Sequence, residues 1–390
     1  MKNKIAGFGI VSPLGDKNAV WEVLCGERKQ KLSFQKRDNT NICTSGISTD
    51  NNRINPKYYR RMDKQVIYEL MAGDQAINDF VDYKMIDNSR VGVFTGSLFA
   101  QLEFGMEQIK SLIFSGMRNN ISMYTGISFY YGAASGEMSL MIKSKGENAS
   151  ICNGACSGID CTIEGMKNIE REINELVISI AGENLSGDVV ADMLPYSIKM
   201  DKLLNPKSYF YTSGAACVLV GNVNKVVSPI EIVAYDNSCD YESLFQCGEK
   251  YVEVIKKSIY KCLDEANISS EDIDLIIPGF NNMGDYDNAE MHVLYEIFHN
   301  KERILYTPIP QIGDCLSASG NIKIYVAYQS MREGILLANE DSWFVKRNID
   351  LYKALFNWER TKKDIKYSLI IQRDIIGGRI SMLIMKNTQI

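Results

Sequence analysis

Two kinds of apolar spacing alternate from one end of the chain to the other. The runs "KIAGFGIVS", "RVGVFTGS", "LVISIAGEN" and "AACVLVGNV" are short, apolar and bounded by glycine or polar residues, which predicts buried strands. "VIYELMAGDQAINDFV", "IDCTIEGMKNIEREI" and "AEMHVLYEIF" repeat their apolar positions three and four residues apart, which predicts amphipathic helices. After about residue 227 the pattern restarts with "SPIEIVAYDN", "YVEVIKKSIYKCLDEA", "IDLIIPGF", "GNIKIYVAYQSMREGILL", "KYSLIIQ" and "ISMLIMK". Such alternation predicts a layered α/β architecture with helices covering mostly buried sheets. No Pro-, Gly- or Ser-rich linker separates residues 1–226 from 227–390, so these two halves are expected to pack together. Residues 100–145 are rich in Met, Tyr, Phe and Gly. Patterning leaves three readings for them: an apolar pocket wall, a subunit contact, or an irregular piece of core.

Composition narrows the class. Of 390 residues, 45% are hydrophobic and 23% charged, enough to bury a sizeable core. A net charge of −5 gives no indication of a nucleic-acid surface. Apolar runs such as "SLIIQ" and "SMLIM" are too short to span a bilayer. Gly and Pro interrupt the opening "MKNKIAGFGIVSPLG", which therefore reads as a strand and turn rather than a signal peptide. None of the ten cysteines forms a CxxC pair, so zinc and redox readings are weak and a cytoplasmic protein with mostly reduced, buried thiols is expected.

One cysteine stands apart. In "ASICNGACSGIDCTIEGMKNIERE", Cys156 ends a run of small residues at the point where a helix should begin. Unpaired N–H groups and the positive end of the helix dipole would there favour thiolate, the nucleophilic form. Gly154, Ala155, Ser157 and Gly158 would let a substrate carbonyl approach closely, with the Cys156 N–H beside its oxygen. A tight turn around a packed, inert cysteine fits the same spacing.

Several stretches, in order, resemble the β-ketoacyl synthase branch of the thiolase superfamily. "IAGFGIVSPLG" is similar to its opening strand and turn, and "RRMDKQVIYELMAGDQAINDF" to its Arg-Met-Asp helix. "NGACSGIDCTIEGMKNI" is similar to its nucleophile motif, with Cys156 in the nucleophile's place, and "YTSGAACVLVGNV" to the strand closing its first half. "DNAEMHVLYEIF", "IGDCLSASGNIKIYVAYQSMREGIL" and "IIGGRISMLIM" complete the match. The resemblance implies two similar α/β halves in five layers, α-β-α-β-α, usually dimeric. It also implies acyl chains delivered on the phosphopantetheine arm of an acyl carrier protein, or on coenzyme A, with no resident cofactor or metal.

The same resemblance shows what is missing. Family members use two histidines and a lysine to decarboxylate a malonyl thioester and direct its carbanion. Aligned motif by motif, the first histidine falls on Gly279, the second on Asp314 and the lysine on Ile309; the phenylalanine gate becomes Ile376. Neither Gly279 nor Ile309 has a side-chain donor, and an anionic Asp314 near Cys156 would oppose thiolate. The N–H groups of Cys156 and Ile376 would survive as an oxyanion hole, since side-chain change does not remove them. The only histidines, His292 and His299, sit seven apart on one expected helix and read as surface or packing residues. Lys57, Arg60, Arg61 and Lys64 would suit an acidic carrier protein, or form a solvated helix face.

Three functions remain open. The first is a chain-length-factor-like partner that shapes an acyl tunnel beside an active ketosynthase in a heterodimer. The second is a homodimeric acyltransferase or thioesterase working through acyl-Cys156, with Asp314, or water oriented by Asn281 or Asn282, replacing the lost base. The third is a scaffold that only binds acyl carrier protein.

Overall fold

Strand β1 (Asn3–Val11) shows why its glycines are where they are. A Cβ at Gly9 would lie 1.9 Å from the Ala72 carbonyl oxygen, and one at Gly7 2.8 Å from that of Ala76. The bare backbone thus lets helix α1 (Lys64–Asp79) settle directly on the sheet. Asp63 caps this helix, accepting from the Gln65 N–H at 2.9 Å.

The computed structural model describes residues 3–30, 32–37, 40–49, 54–115, 121–187, 189–190, 211–244, 246–281, 284–339 and 352–390. The strands of its large sheet are β1, β2 (Val91–Gly96), β3 (Asn148–Ile151), β4 (Leu176–Glu183), β5 (Gly214–Asn222), β6 (Ile230–Cys239), β7 (Ile273–Ile277), β8 (Tyr367–Arg373) and β9 (Arg379–Asn387). Their spatial order is β3-β2-β4-β5-β1-β6-β9-β8-β7. The order is two similar patterns placed back to back. Outward from β1, strand β5 is antiparallel, β4 antiparallel to β5, and β2 and β3 parallel. Outward from β6, strand β9 is antiparallel, β8 antiparallel to β9, and β7 parallel, with Leu305 bridging beyond it. The two patterns join only through Asn3↔Ile232 and Lys4↔Glu231.

Helices α2 (Leu102–Ser115), α3 (Ala133–Ile142), α4 (Ser157–Glu170), α5 (Glu249–Ala266), α6 (Gly284–Phe298) and α7 (Ser319–Glu333) complete the layers. Helix α1 packs on β1, β4 and β5, while α5 packs on β6 and β9, with α6 behind it. Helices α4 and α7 meet each other and contact strands of both patterns. The result is the thiolase-like α-β-α-β-α fold, and each central helix begins at a turn that faces the other. No described helix is long and apolar enough to cross a membrane.

Candidate functional site

Cys156 closes a single 3-10 turn, Gly154–Cys156, and occupies the N-cap of α4. Gly154 adopts φ +65°, a left-handed conformation that favours glycine. Ser157 pins the turn: its Oγ accepts from the Asn153 N–H at 2.9 Å and donates to the Gly154 carbonyl at 2.6 Å. The helix start is therefore where the sequence placed it.

The thiol's surroundings are not. Cys156 is wholly buried, with Sγ 3.5 Å from the Gln372 carbonyl oxygen and 3.9 Å from that of Arg379. Both are acceptors, so they favour the protonated thiol. Burial pushes the Cys156 thiol well above the ordinary range, the carboxylates of Asp160 and Asp374 push it further, and Ser381 and Arg379 only partly oppose them. The expected thiolate at a helix start is thus outweighed by desolvation and like charge. Nor does that charge come from Asp314, as the sequence suggested. Asp160 stands in the first turn of α4, tied to Asn153 Nδ2 at 2.8 Å, Arg379 Nη2 at 2.8 Å and Ser381 Oγ at 2.6 Å.

A carboxylate stands beside the expected oxyanion hole. Asp374 Oδ1 accepts from the N–H groups of Ala155 and Ile375, each at 2.8 Å. These donors are the chain neighbours of Cys156 and Ile376, whose N–H groups the sequence assigned to an oxyanion hole.

At the first histidine position, Gly279 donates its N–H to Glu290 Oε1 at 2.6 Å. A Cβ there would lie 3.0 Å from Glu290 Oε2 and 3.2 Å from Arg373 Cβ. The space of a larger residue is narrowed by the Glu290 carboxylate, the stem of Arg373 and Ile371. Arg373 has no exposure; its Nη2 donates to Asp287 and, at 2.7 Å, to Asn281 Oδ1, and its Nε lies 3.9 Å from Glu290 Oε2. Asn281 is buried, and its Nδ2 donates to the Asp374 carbonyl at 3.2 Å. It is a structural tie rather than an orienter of water. Asn282 lies outside the described residues.

At the second histidine position, Asp314 is 1% exposed and caps the turn before α7. Its Oδ1 accepts from the Leu316 N–H at 2.8 Å and Ser319 Oγ at 2.7 Å. Burial raises the Asp314 carboxyl, against the pull of Ser319 and of the Lys323 ammonium. Lys323 is itself buried, donating to the carbonyls of Pro278 at 2.7 Å and Ile371 at 3.1 Å. Burial brings its ammonium down to about 8, against the pull of Asp314 and Glu290. Ile309 is buried and apolar. His299 hydrogen-bonds the Glu296 carbonyl at 3.1 Å on an exposed helix face, and His292 lies 3.9 Å from Glu296. Arg61 pairs with Glu137 at 3.2 Å.

Sequence reasoning missed Arg373, Asp374, Lys323 and Asp160. A signal existed for the first two: "IIQRDIIGG" ends a mostly apolar run with two opposite charges before a Gly-Gly turn.

Residues 4–189 match the family model "Beta-ketoacyl synthase, N-terminal domain". The chain is 20% identical over 282 residues to the actinorhodin polyketide putative beta-ketoacyl synthase 2 of Streptomyces coelicolor, covering 68% of this chain and 69% of that protein. Its fold matches a ketosynthase in complex with its chain length factor from Xenorhabdus doucetiae, with a TM-score of 0.82, 16% identity, and coverage of 99% of this chain and 98% of that one. It matches equally a type II polyketide synthase acyl-carrier protein in complex with its ketosynthase bound to the hexaketide, with a TM-score of 0.83, 14% identity, and coverage of 99% and 98%.

Proposed function

We propose, from the premise that this chain is a divergent member of the β-ketoacyl synthase branch of the thiolase superfamily, that it serves as a non-condensing partner of an active ketosynthase. The family acts in polyketide and fatty-acid biosynthesis. The observation that carries the proposal is the filled histidine position. A side chain at Gly279 would press on the Glu290 carboxylate, the Arg373 stem and Ile371, and the Arg373 guanidinium is tied through Nη2 to Asp287 and Asn281. With Asp314 tied to its own turn and Ile309 apolar, no side chain at the three positions supplies what decarboxylative condensation needs.

A partner would have a surface to sit on. Exposed apolar side chains gather between residues 112 and 140: Ile113, Phe114, Met123, Tyr130 and Leu140 are each 65% exposed or more. This is the segment whose composition suggested a subunit contact. Strand β3 ends the sheet and pairs with no described strand but β2. Exposed apolar side chains and an unpaired strand edge favour a protein partner. By analogy with the chain-length-factor complex, that partner is an intact ketosynthase, fed by acyl carrier protein at its own cysteine, while this chain shapes the acyl tunnel. The acyl-Cys156 reading is weaker, because a thiol with no exposure and a raised pKa is a poor acceptor of thioesters.

The test combines copurification with intact mass. The tagged chain, co-expressed with a ketosynthase encoded beside it, should copurify as a heterodimer, and Cys156→Ala should leave polyketide or fatty-acyl output intact. A chain that forms only homodimers and gains one acyl group from acyl-carrier protein or acyl-coenzyme A, lost in Cys156→Ala, would overturn the proposal.

A further inference from the structure

Beside Cys156, two segments 219 residues apart build a cradle of backbone N–H groups, and the chain itself supplies the occupant. Asp374 Oδ1 takes the N–H groups of Ala155 and Ile375, each at 2.8 Å. Amides converging in this way form a concavity that binds anions. Gly154 is shaped to the occupant: a Cβ there would lie 2.0 Å from Asp374 Oδ1. The carboxylate is also held from behind. The Asp374 N–H donates to the Arg379 carbonyl at 3.1 Å, and its own carbonyl accepts from Asn281 Nδ2 at 3.2 Å.

We propose that Asp374 is a tethered plug in an anion-binding cradle: a chain lacking this carboxylate binds a small free monocarboxylate in its place, and Cys156 becomes reachable through the vacated space. The cradle's donors are backbone groups, so they persist when the side chain is removed. Two N–H groups left without an acceptor cost stability, and an external carboxylate restores what they lost. The plug also faces the thiol as a like charge, so its removal frees Cys156 both sterically and electrostatically. The site takes formate or acetate rather than chloride, because the carboxylate oxygens reproduce the geometry of the side chain they replace. This inference concerns the isolated chain and stands or falls independently of any partner subunit.

The test uses the full chain as wild type, Asp374→Ala and Asp374→Ser. Thermal unfolding is followed in sodium acetate and in sodium chloride at matched ionic strength and pH. Both variants should melt below wild type in chloride and recover saturably with acetate, while wild type, its cradle filled, does not respond. In parallel, iodoacetamide labelling is read by peptide mass at Cys156 and at Cys161, a second fully buried thiol on the same helix. In the variants Cys156 labelling should rise about tenfold as the thiol loses its like-charged neighbour, with Cys161 unchanged and acetate suppressing the rise. Melting that follows ionic strength alone overturns the proposal. So does an equal rise at both cysteines, which would report general loosening, or failure of both variants to fold even in acetate.

Discussion

The turn that ends in Cys156 and the turn that follows Asp314 are the same backbone device used twice. Each is a single 3-10 turn, Gly154–Cys156 and Leu316–Ala318, leading into a long central helix. Each begins with a residue of positive φ, +65° at Gly154 and +52° at Leu316. In each, a serine at the start of the helix accepts the N–H four residues back: Asn153 to Ser157 at 2.9 Å, Cys315 to Ser319 at 2.8 Å. The turns also press on one another, since a Cβ at Gly158 would lie 2.3 Å from the Ser317 carbonyl oxygen and one at Gly320 2.6 Å from Ile159 Cγ1. The difference is the source of the carboxylate that satisfies the turn's N–H groups. The second turn uses Asp314, two residues away in the chain; the first imports Asp374 from the end of β8. A local cap fixes only its own turn. An imported one ties the cysteine position to the far half of the protein.

The largest test of this comparison removes the anchor of the imported carboxylate. Arg373 precedes Asp374 and is buried between Asp287 and Glu290. Arg373→Met should cost roughly 3–5 kcal/mol, because it strands buried charge. Adding Asp287→Asn and Glu290→Gln should return much of that loss in urea unfolding. Full stability of the single variant would mean the ionic cluster does not hold the strand end. Next in size is Gly154→Ala. A side chain at positive φ costs roughly 1 kcal/mol, and displacement of the Asp374 carboxylate should bring the total to roughly 3 kcal/mol. In an Asp374→Ala background the added cost should shrink to the backbone part alone. Additive costs in that double-mutant cycle would uncouple the two residues. Leu316 already shows that the same backbone accepts a leucine where the carboxylate lies elsewhere.

How much of this was written in the sequence depends on how local each feature is. Short apolar runs placed β1, β4 and β5, and 3.6-residue spacing placed helices α1, α4 and α7, because such burial patterns are decided within a few residues. The small residues around Cys156 marked its turn for the same reason. The state of the thiol was illegible there. It depends on the carbonyls of Gln372 and Arg379 and the carboxylate of Asp374, all more than 200 positions away in the chain. Motif alignment named the losses at Gly279 and Asp314 but not what filled the space, because Arg373 and Lys323 sit in otherwise apolar strand and helix patterns. Asp314 looked like a charge facing the cysteine, yet its bonds go to Leu316 and Ser319.

A pH profile sharpens the comparison from the side of the second turn. Ser317 donates to Glu183 Oε1 at 2.6 Å, and that carboxyl also accepts from the Leu98 and Phe99 N–H groups at 2.5 and 3.2 Å. Burial nevertheless pushes Glu183 up to about 7 from an ordinary 4.5. A carboxyl whose folded pKa is raised contributes stability that is complete below its unfolded value and is lost as pH rises through the folded one. The free energy of unfolding should therefore fall between pH 4.5 and 7, and Glu183→Gln should flatten that window. A wild-type profile already flat there would show that Glu183 stays ionised among these donors.

The smallest effect discriminates most finely, because it compares one serine hydroxyl with its counterpart. Ser157 Oγ accepts one N–H and donates to a neutral carbonyl, that of Gly154. Ser319 Oγ accepts one N–H and donates to the Asp314 carboxyl at 2.7 Å. A hydrogen bond to a neutral acceptor contributes about 1 kcal/mol and one to a charged group about 1.5–3 kcal/mol. Ser319→Ala should thus destabilise the chain by about 1 kcal/mol more than Ser157→Ala. Because the raised Asp314 carboxyl is less often charged at low pH, the gap should narrow as pH falls through its titration. Equal costs at all pH values would mean that Asp314 is protonated throughout and that its turn, like the Cys156 turn, is held by neutral contacts alone. A gap of the opposite sign would place the stronger cap at the cysteine, and the local carboxylate would no longer explain why the second turn manages without an imported one.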